Sequence, residues 1–294
     1  MEKKYKLTEE SISFNGRTLY RIEAIIDFGL IKKGDKGGFI ETESNLSHDG
    51  DAWVSGDAKV FGNAKVFGDA HIFWNANVFG NAKVSGDSCV TDNASVYGNA
   101  NVFGNACVYG NANVFGNVCV YGNALVFGNA WVSDNAKVFG NARVYGDAGI
   151  TDDARVSGDA EVYGHAWLYG ESMVCCNAVV YGNAWVSGCA RVSGRAKVFG
   201  KAQVYDDAKI FGDAKVYDNA EVFGHAWIHD NASVYGNANV FGDAWIHDNA
   251  SVYGNAKVYD NAEVYEDGGV LDNAEVYGNA HIDGIWICDD EKVQ

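Results

Sequence analysis

Residues 227–256 read WIHDNASVYGNANVFGDAWIHDNASVYGNA. Within them Ile228, Val234, Val240, Ile246 and Val252 fall six apart, and the twelve residues from Trp227 to Ala238 return unchanged from Trp245. The hexad Val-Phe/Tyr-Gly-Asn/Asp-Ala-x alternates inward and outward over Ala-x-Val-Phe, the period of a β-strand. It then meets Gly-Asn/Asp, residues that accept a left-handed backbone. Each hexad is therefore a short strand and a sharp corner. A duplicated block spans a whole structural unit, so the 18-residue offset makes each coil a triangle of three hexads.

The same beat extends in both directions. Every sixth residue from Val54 to Ile282 is Val, Ile or Leu, 39 positions without a slip, which gives 13 coils. At ~4.8 Å between neighbouring strands the stack would be roughly 60 Å long. Four residues after each aliphatic stands Ala, at 34 of 38 positions, with Ser88, Val118, Ser172 and Gly268 as the exceptions. A larger side chain there would collide with the adjoining wall of a close-packed interior. Helical spacing of three and four is nowhere sustained. The expected fold is all-β: a three-sided parallel β-helix over residues 51–284, a small β-rich cap over 1–50 and a terminal segment over 285–294. In the cap, Thr18–Ile26 reads as a strand and Gly34–Gly38 as a turn into Phe39-Ile40. Bare solenoid ends expose core and strand edges, so a cap is required. Ile285-Trp286-Ile287 is expected to fold over the last coil, with Asp289–Gln294 frayed.

Composition narrows the function classes. The formal net charge is −17, which repels phosphate backbones and argues against nucleic acid. No apolar run approaches the ~20 residues of a membrane span, and Met1–Lys6 leads into no apolar signal segment. The expected location is cytoplasmic, with no membrane partner. All seven cysteines, including Cys89 and Cys107 one coil apart, are accordingly expected as free thiols.

The outward residue after each aliphatic is Phe or Tyr at 26 of 39 positions. Stacked coils turn these into ring ladders on all three faces. The plainer role of the ladders is to support each sheet; the functional one is an interaction surface between subunits or for a flat or sugar-like ligand. Small residues replace the rings at Ser133 and Thr151 on one face and at Ser157, Cys175 and Ser193 on another, where shallow grooves are expected. The candidate binding residues are Trp227, Trp245, Trp167 and Trp185. The candidate catalytic residues are His229 and His247, with Asp230 and Asp248 at the adjacent corner to orient an imidazole base. The plainer reading of that pair is one exposed residue copied by the duplication. No metal site is expected. His165 and His225 read as corner substitutions, and stacked corner Asn side chains as hydrogen-bonded ladders.

The pattern [Ile/Leu/Val]-x-x-x-[small]-x resembles the hexapeptide-repeat acyltransferase superfamily, which implies a left-handed β-helix. The lead-in Gly37-Gly38-Phe39-Ile40, Asn45-Leu46-Ser47 and Gly50-Asp51-Ala52-Trp53-Val54 is similar to that of YdcK-like bacterial and phage proteins, commonly labelled acetyltransferases or hexapeptide transferases. The resemblance implies a homo-oligomer, typically a trimer, and for a catalytic member an acetyl-CoA or CoA site between subunits. Such enzymes usually place a catalytic His near a loop that interrupts the hexads. No loop interrupts residues 51–284 here, and no His matches that position. Fold alone assigns no chemistry. The reading is therefore a non-catalytic scaffold or binding solenoid without a cofactor, with an acyl-CoA-dependent acyltransferase as the alternative.

Overall fold

The computed structural model describes residues 3–294. The chain forms two compact units, Met1–Gly146 and Asp147–Gln294. Each is a β-solenoid whose two- or three-residue strands build three parallel sheets. Register confirms the 18-residue coil: Lys59 pairs with Asn77 in the first unit, and Trp227 with Trp245 in the second. The inward aliphatic and Ala residues are fully buried, as at Val114 and Ala112 or Val234 and Ala232. No helix among the described residues is long and apolar enough to cross a membrane.

One hydrogen-bond pattern runs through both units. The amides at the x, Phe/Tyr and Asn positions donate to carbonyls of the following coil, as Lys83 to Ala100, Phe79 to Val96 and Asn81 to Gly98. Corner side chains repeat the ladder. Asn63, Asn81, Asn99, Asn117 and Asn135 are linked amide to amide at 2.9–3.1 Å. In the second unit Asn219, Asn237, Asn255 and Asn273 do the same at 3.0–3.1 Å.

The first corner residue is left-handed. Gly98 has φ +70°, and a Cβ there would lie 2.8 Å from the Gly116 nitrogen. Asp occupies the equivalent position elsewhere, and it offsets the strain with a contact that glycine lacks: the Asp92 carboxylate accepts from the Gly110 amide at 2.9 Å.

Because, within a unit, each coil donates to the next, the leading coil of the first unit has carbonyls that no earlier coil can satisfy. The N-terminal segment supplies the donors. Strand β1 (Tyr5–Phe14) turns at Asn15-Gly16, both at positive φ, into the antiparallel β2 (Arg17–Ala24). Such two-residue turns favour Asn-Gly because both residues need φ > 0. β2 pairs with β3 (Lys36–Ile40), which lies parallel to Lys59–Val60 and carries the chain into the solenoid. Phe39, Glu41 and Ser47 give backbone amides to Ala58, Val60 and Val66. Side chains cover the three corners. Lys4 Nζ donates to the Gly50 and Ala52 carbonyls at 2.9 and 2.8 Å. Asn45 Nδ2 donates to Gly62 and Ala64 at 3.0 and 2.9 Å. Arg21 reaches the Gly56 carbonyl at 3.2 Å. The cap was expected, but β1 and this set of plugging side chains were not, and β3 begins inside the expected turn.

The terminal segment differs from expectation. Trp286–Ile287 and Lys292–Val293 extend two sheets, paired with Gly269–Val270 and Glu275–Val276. The partners are offset by 17 residues because one corner residue is missing after Gly284, itself left-handed at φ +59°. The apolar beat thus resumes out of the six-residue count, at Ile287 and Val293.

Two stability predictions follow from these contacts. Gly98→Ala should lower the unfolding free energy by about 1–2 kcal/mol, through αL strain and the short approach to Gly116. Gly98→Asp should lose less, because its carboxylate meets the Gly116 amide; denaturant titration of the two variants compares them. The second concerns Lys4, whose side chain is 2 % exposed. Burial pushes its ammonium down from 10.5 to about 8, against the opposing pull of Asp51, Asp49 and Asp69. Below pH 8 the amine is charged in both states and the full desolvation penalty stands. Between pH 8 and 10.5 the folded state binds fewer protons than the unfolded one, so stability rises with pH, by on the order of 1–3 kcal/mol. Lys4→Met should remove that rise.

Candidate functional site

The candidate residues fall on two faces of the second unit. On one, the outward position before each aliphatic runs Lys209, Trp227, Trp245, Glu263, His281. The position after it runs Phe211, His229, His247, Tyr265. Parallel register places like positions directly above one another. Trp227 and Trp245 stack at 5.2 Å with planes 6° apart. His229 and His247 stack at 5.0 Å and 4°, between Phe211 and Tyr265 at 4.7 and 5.5 Å. The imidazoles thus substitute for rings in an aromatic ladder. They are not left standing in solvent, and their side chains are 17 % exposed. Lys209 Nζ sits 4.2 Å from the Trp227 ring centre, a cation–π contact.

Carboxylates surround the imidazoles. Nδ1 of His229 lies 2.9 Å from Asp230, and Nδ1 of His247 lies 2.9 Å from Asp248. The corner Asp therefore fixes each ring, as the sequence suggested. Glu263 was not foreseen. Its two oxygens meet His247 Nε2 at 2.9 Å and His281 Nδ1 at 2.7 Å. The signal was present in the 18-residue column Trp245, Glu263, His281, but the duplication ends before it.

Trp167 and Trp185 lie on a different face, paired in register. Trp167 lies over Gly149, where a Cβ would come within 2.5 Å of its ring. Trp185 meets Tyr169 edge-on at 6.5 Å and is half exposed, beside a shallow depression lined by Asn183, Lys201 and Gln203. The four tryptophans form two separate pairs and no common site.

The small-residue positions behave unlike the expected grooves. Ser133 is buried and Thr151 half-buried. Near Ser157, Cys175 and Ser193 the depression lies across the neighbouring outward column Arg155, Met173 and Arg191, and reaches the corner residues Glu171 and Cys189. Burial pushes the Cys175 thiol up to about 11, with Cys176 beside it, which disfavours a thiolate nucleophile. The corner histidines face acids one coil earlier: His165 lies 3.6 Å from Asp147, and His225 lies 3.9 Å from Asp207.

In the first unit Cys89 and Cys107 form a disulfide, contrary to the expectation of free thiols. Parallel pairing sets the two residues opposite each other with Cα atoms 4.7 Å apart, within the disulfide range. Alkylation of denatured, unreduced protein should therefore modify five cysteines, and seven after reduction. Seven before reduction would contradict the pairing.

Residues 120–134 match the family described as the YdcK Beta solenoid repeat. No curated protein matches the chain.

Proposed function

We propose that this chain, a YdcK-like β-solenoid repeat protein, is a non-catalytic scaffold that works by self-association through its flat aromatic faces. The observation that carries this reading is the ring ladder. Tyr163, Tyr181, Phe199, Tyr217, Tyr235 and Tyr253 stack in one line at 4.8–5.1 Å. Tyr205, Phe223, Phe241, Tyr259 and Tyr277 form a second line at 4.8–5.2 Å. In the first unit Phe61, Phe79, Tyr97 and Phe115 do likewise at 4.7–4.9 Å. Rings packed on one another have few rotamers left to lose on contact, so a strip of this kind is pre-organised for a flat partner. Exposed Phe103, Trp131, Trp167 and Trp185 add large apolar surface, the residue class enriched at interface cores. A second copy of the chain offers the matching strip, and a trimer is the expected assembly. A chain of net charge −17 repels its copies at low ionic strength, and salt screens that repulsion. We keep the cytoplasm as the compartment, where the Cys89–Cys107 disulfide would be open to reduction.

One observation favours the alternative, an acyl-CoA-dependent acyltransferase with its site between subunits. Each of His229 and His247 is held by a corner Asp, the relation a general base needs.

Sedimentation velocity and a thermal-shift screen with CoA and acetyl-CoA separate the two. The scaffold reading expects a defined oligomer that strengthens with added salt, and no shift with either thioester or thiol. A monomer at all salt concentrations overturns it. So does a rise in melting temperature with acetyl-CoA that His229→Ala and His247→Ala abolish.

A further inference from the structure

The geometry points to a site for a divalent transition metal on the second unit, built from His229, Asp230 and His247. One ligand atom from each of the three lies within 4.8 Å of the others. Two imidazole nitrogens with carboxylate oxygen suit Zn²⁺, Ni²⁺, Co²⁺ or Cu²⁺ over Ca²⁺ or Mg²⁺, which prefer oxygen alone.

Two features set this cluster apart from an ordinary corner. The first is how Asp230 is used. At the equivalent left-handed position Asp206, Asp218, Asp248 and Asp260 each accept an amide of the next coil at 3.2–3.3 Å. The Asp230 carboxylate lies 2.9 Å from His229 Nδ1, and Asp248, while holding its amide, lies equally close to His247 Nδ1. The second is the pair of carboxylates around one ring: both nitrogens of His247 sit 2.9 Å from carboxylate oxygens, of Asp248 and of Glu263, and such anionic surroundings favour a cation.

The surroundings suit the metal. Asp248 lies 2.9 Å from His247 Nδ1 and adds negative charge beside the ring. Glu263 holds His247 Nε2 and would orient the ring from behind, as outer carboxylates do for metal-bound histidine. Ligands at about 2.0–2.2 Å from one ion must approach one another more closely than 4.8 Å. The two imidazoles must therefore draw together on binding. A metal there would clip two successive coils together.

The test uses the full chain, stripped with a chelator and dialysed. Ni²⁺ is titrated by calorimetry and melting temperature, and Cu²⁺ by electron paramagnetic resonance. The variants keep the repeat: His229→Tyr and His247→Tyr restore a ring to the ladder, and Asp230→Gly restores the commonest corner residue. The expected result is one equivalent of metal per chain dependent on these residues, a raised melting temperature, and hyperfine coupling to two imidazole nitrogens. Each single variant should weaken binding by more than about tenfold while its metal-free melting temperature stays near that of the parent. Metal binding unchanged in the His229→Tyr/His247→Tyr variant would assign it to other groups, the free thiols among them, and overturn the site. No binding by the parent chain would overturn it equally.

Discussion

Each coil's amides point to the carbonyls of the coil that follows, and the rest of the structure answers to that one-way hydrogen bond. Phe79 to Val96 in the first unit and Tyr235 to Val252 in the second are the same contact, repeated. Buried backbone polar groups must be paired, so the direction of the bond determines what the chain's start must look like. The leading coil needs donors, and the cap provides amides along the strands and Lys4, Arg21 and Asn45 at the corners. A buried lysine would be an odd choice for a core. It is a reasonable one for two converging carbonyls, since a neutral amine still has two N–H groups to give.

The same constraint shapes the composition. A corner that repeats every six residues needs a left-handed residue each time. Where glycine yields, Asp most often takes its place, and it can accept the next coil's amide, as Asp92 and Asp152 do. Asp at these corners adds to the chain's acidity by a structural route, so the charge of −17 is weak evidence about a ligand. The ring ladders follow likewise from register, because parallel pairing at one spacing stacks whatever lies after the aliphatic residue. Chemistry beyond flat-face contact is better sought where the columns depart from their own rule: at the stacked histidines, at the tryptophan pairs, and along Arg155, Met173 and Arg191.

The repeat was legible because its period is enforced at every coil, and a duplicated block with an 18-residue offset admits one coil size. Ala and Val positions, corner Asn ladders and outward rings could be read residue by residue. What escaped the reading depends on geometry without a period. The contact of Lys4 with Gly50 and Ala52 joins segments with no common pattern. The final two strands were hidden by one missing corner residue, which throws Ile287 and Val293 off the count. The Cys89–Cys107 pair was visible as stacked, but the reading gave chemical environment priority over proximity. His229 and His247 were found, with their Asp partners. Glu263 and His281 lie beyond the duplicated block, so no repeat marks them although they continue its column.

Native-state hydrogen exchange tests the interaction on which all this rests. In coils away from the ends of each unit, the amides at the x, Phe/Tyr and Asn positions, for example Ser95, Tyr97 and Asn99 or Ser233, Tyr235 and Asn237, should exchange only through cooperative opening, with similar protection at all three. Rapid exchange at Tyr97 or Tyr235, or protection that fails to mark every second amide along the hexads, would contradict the ladder.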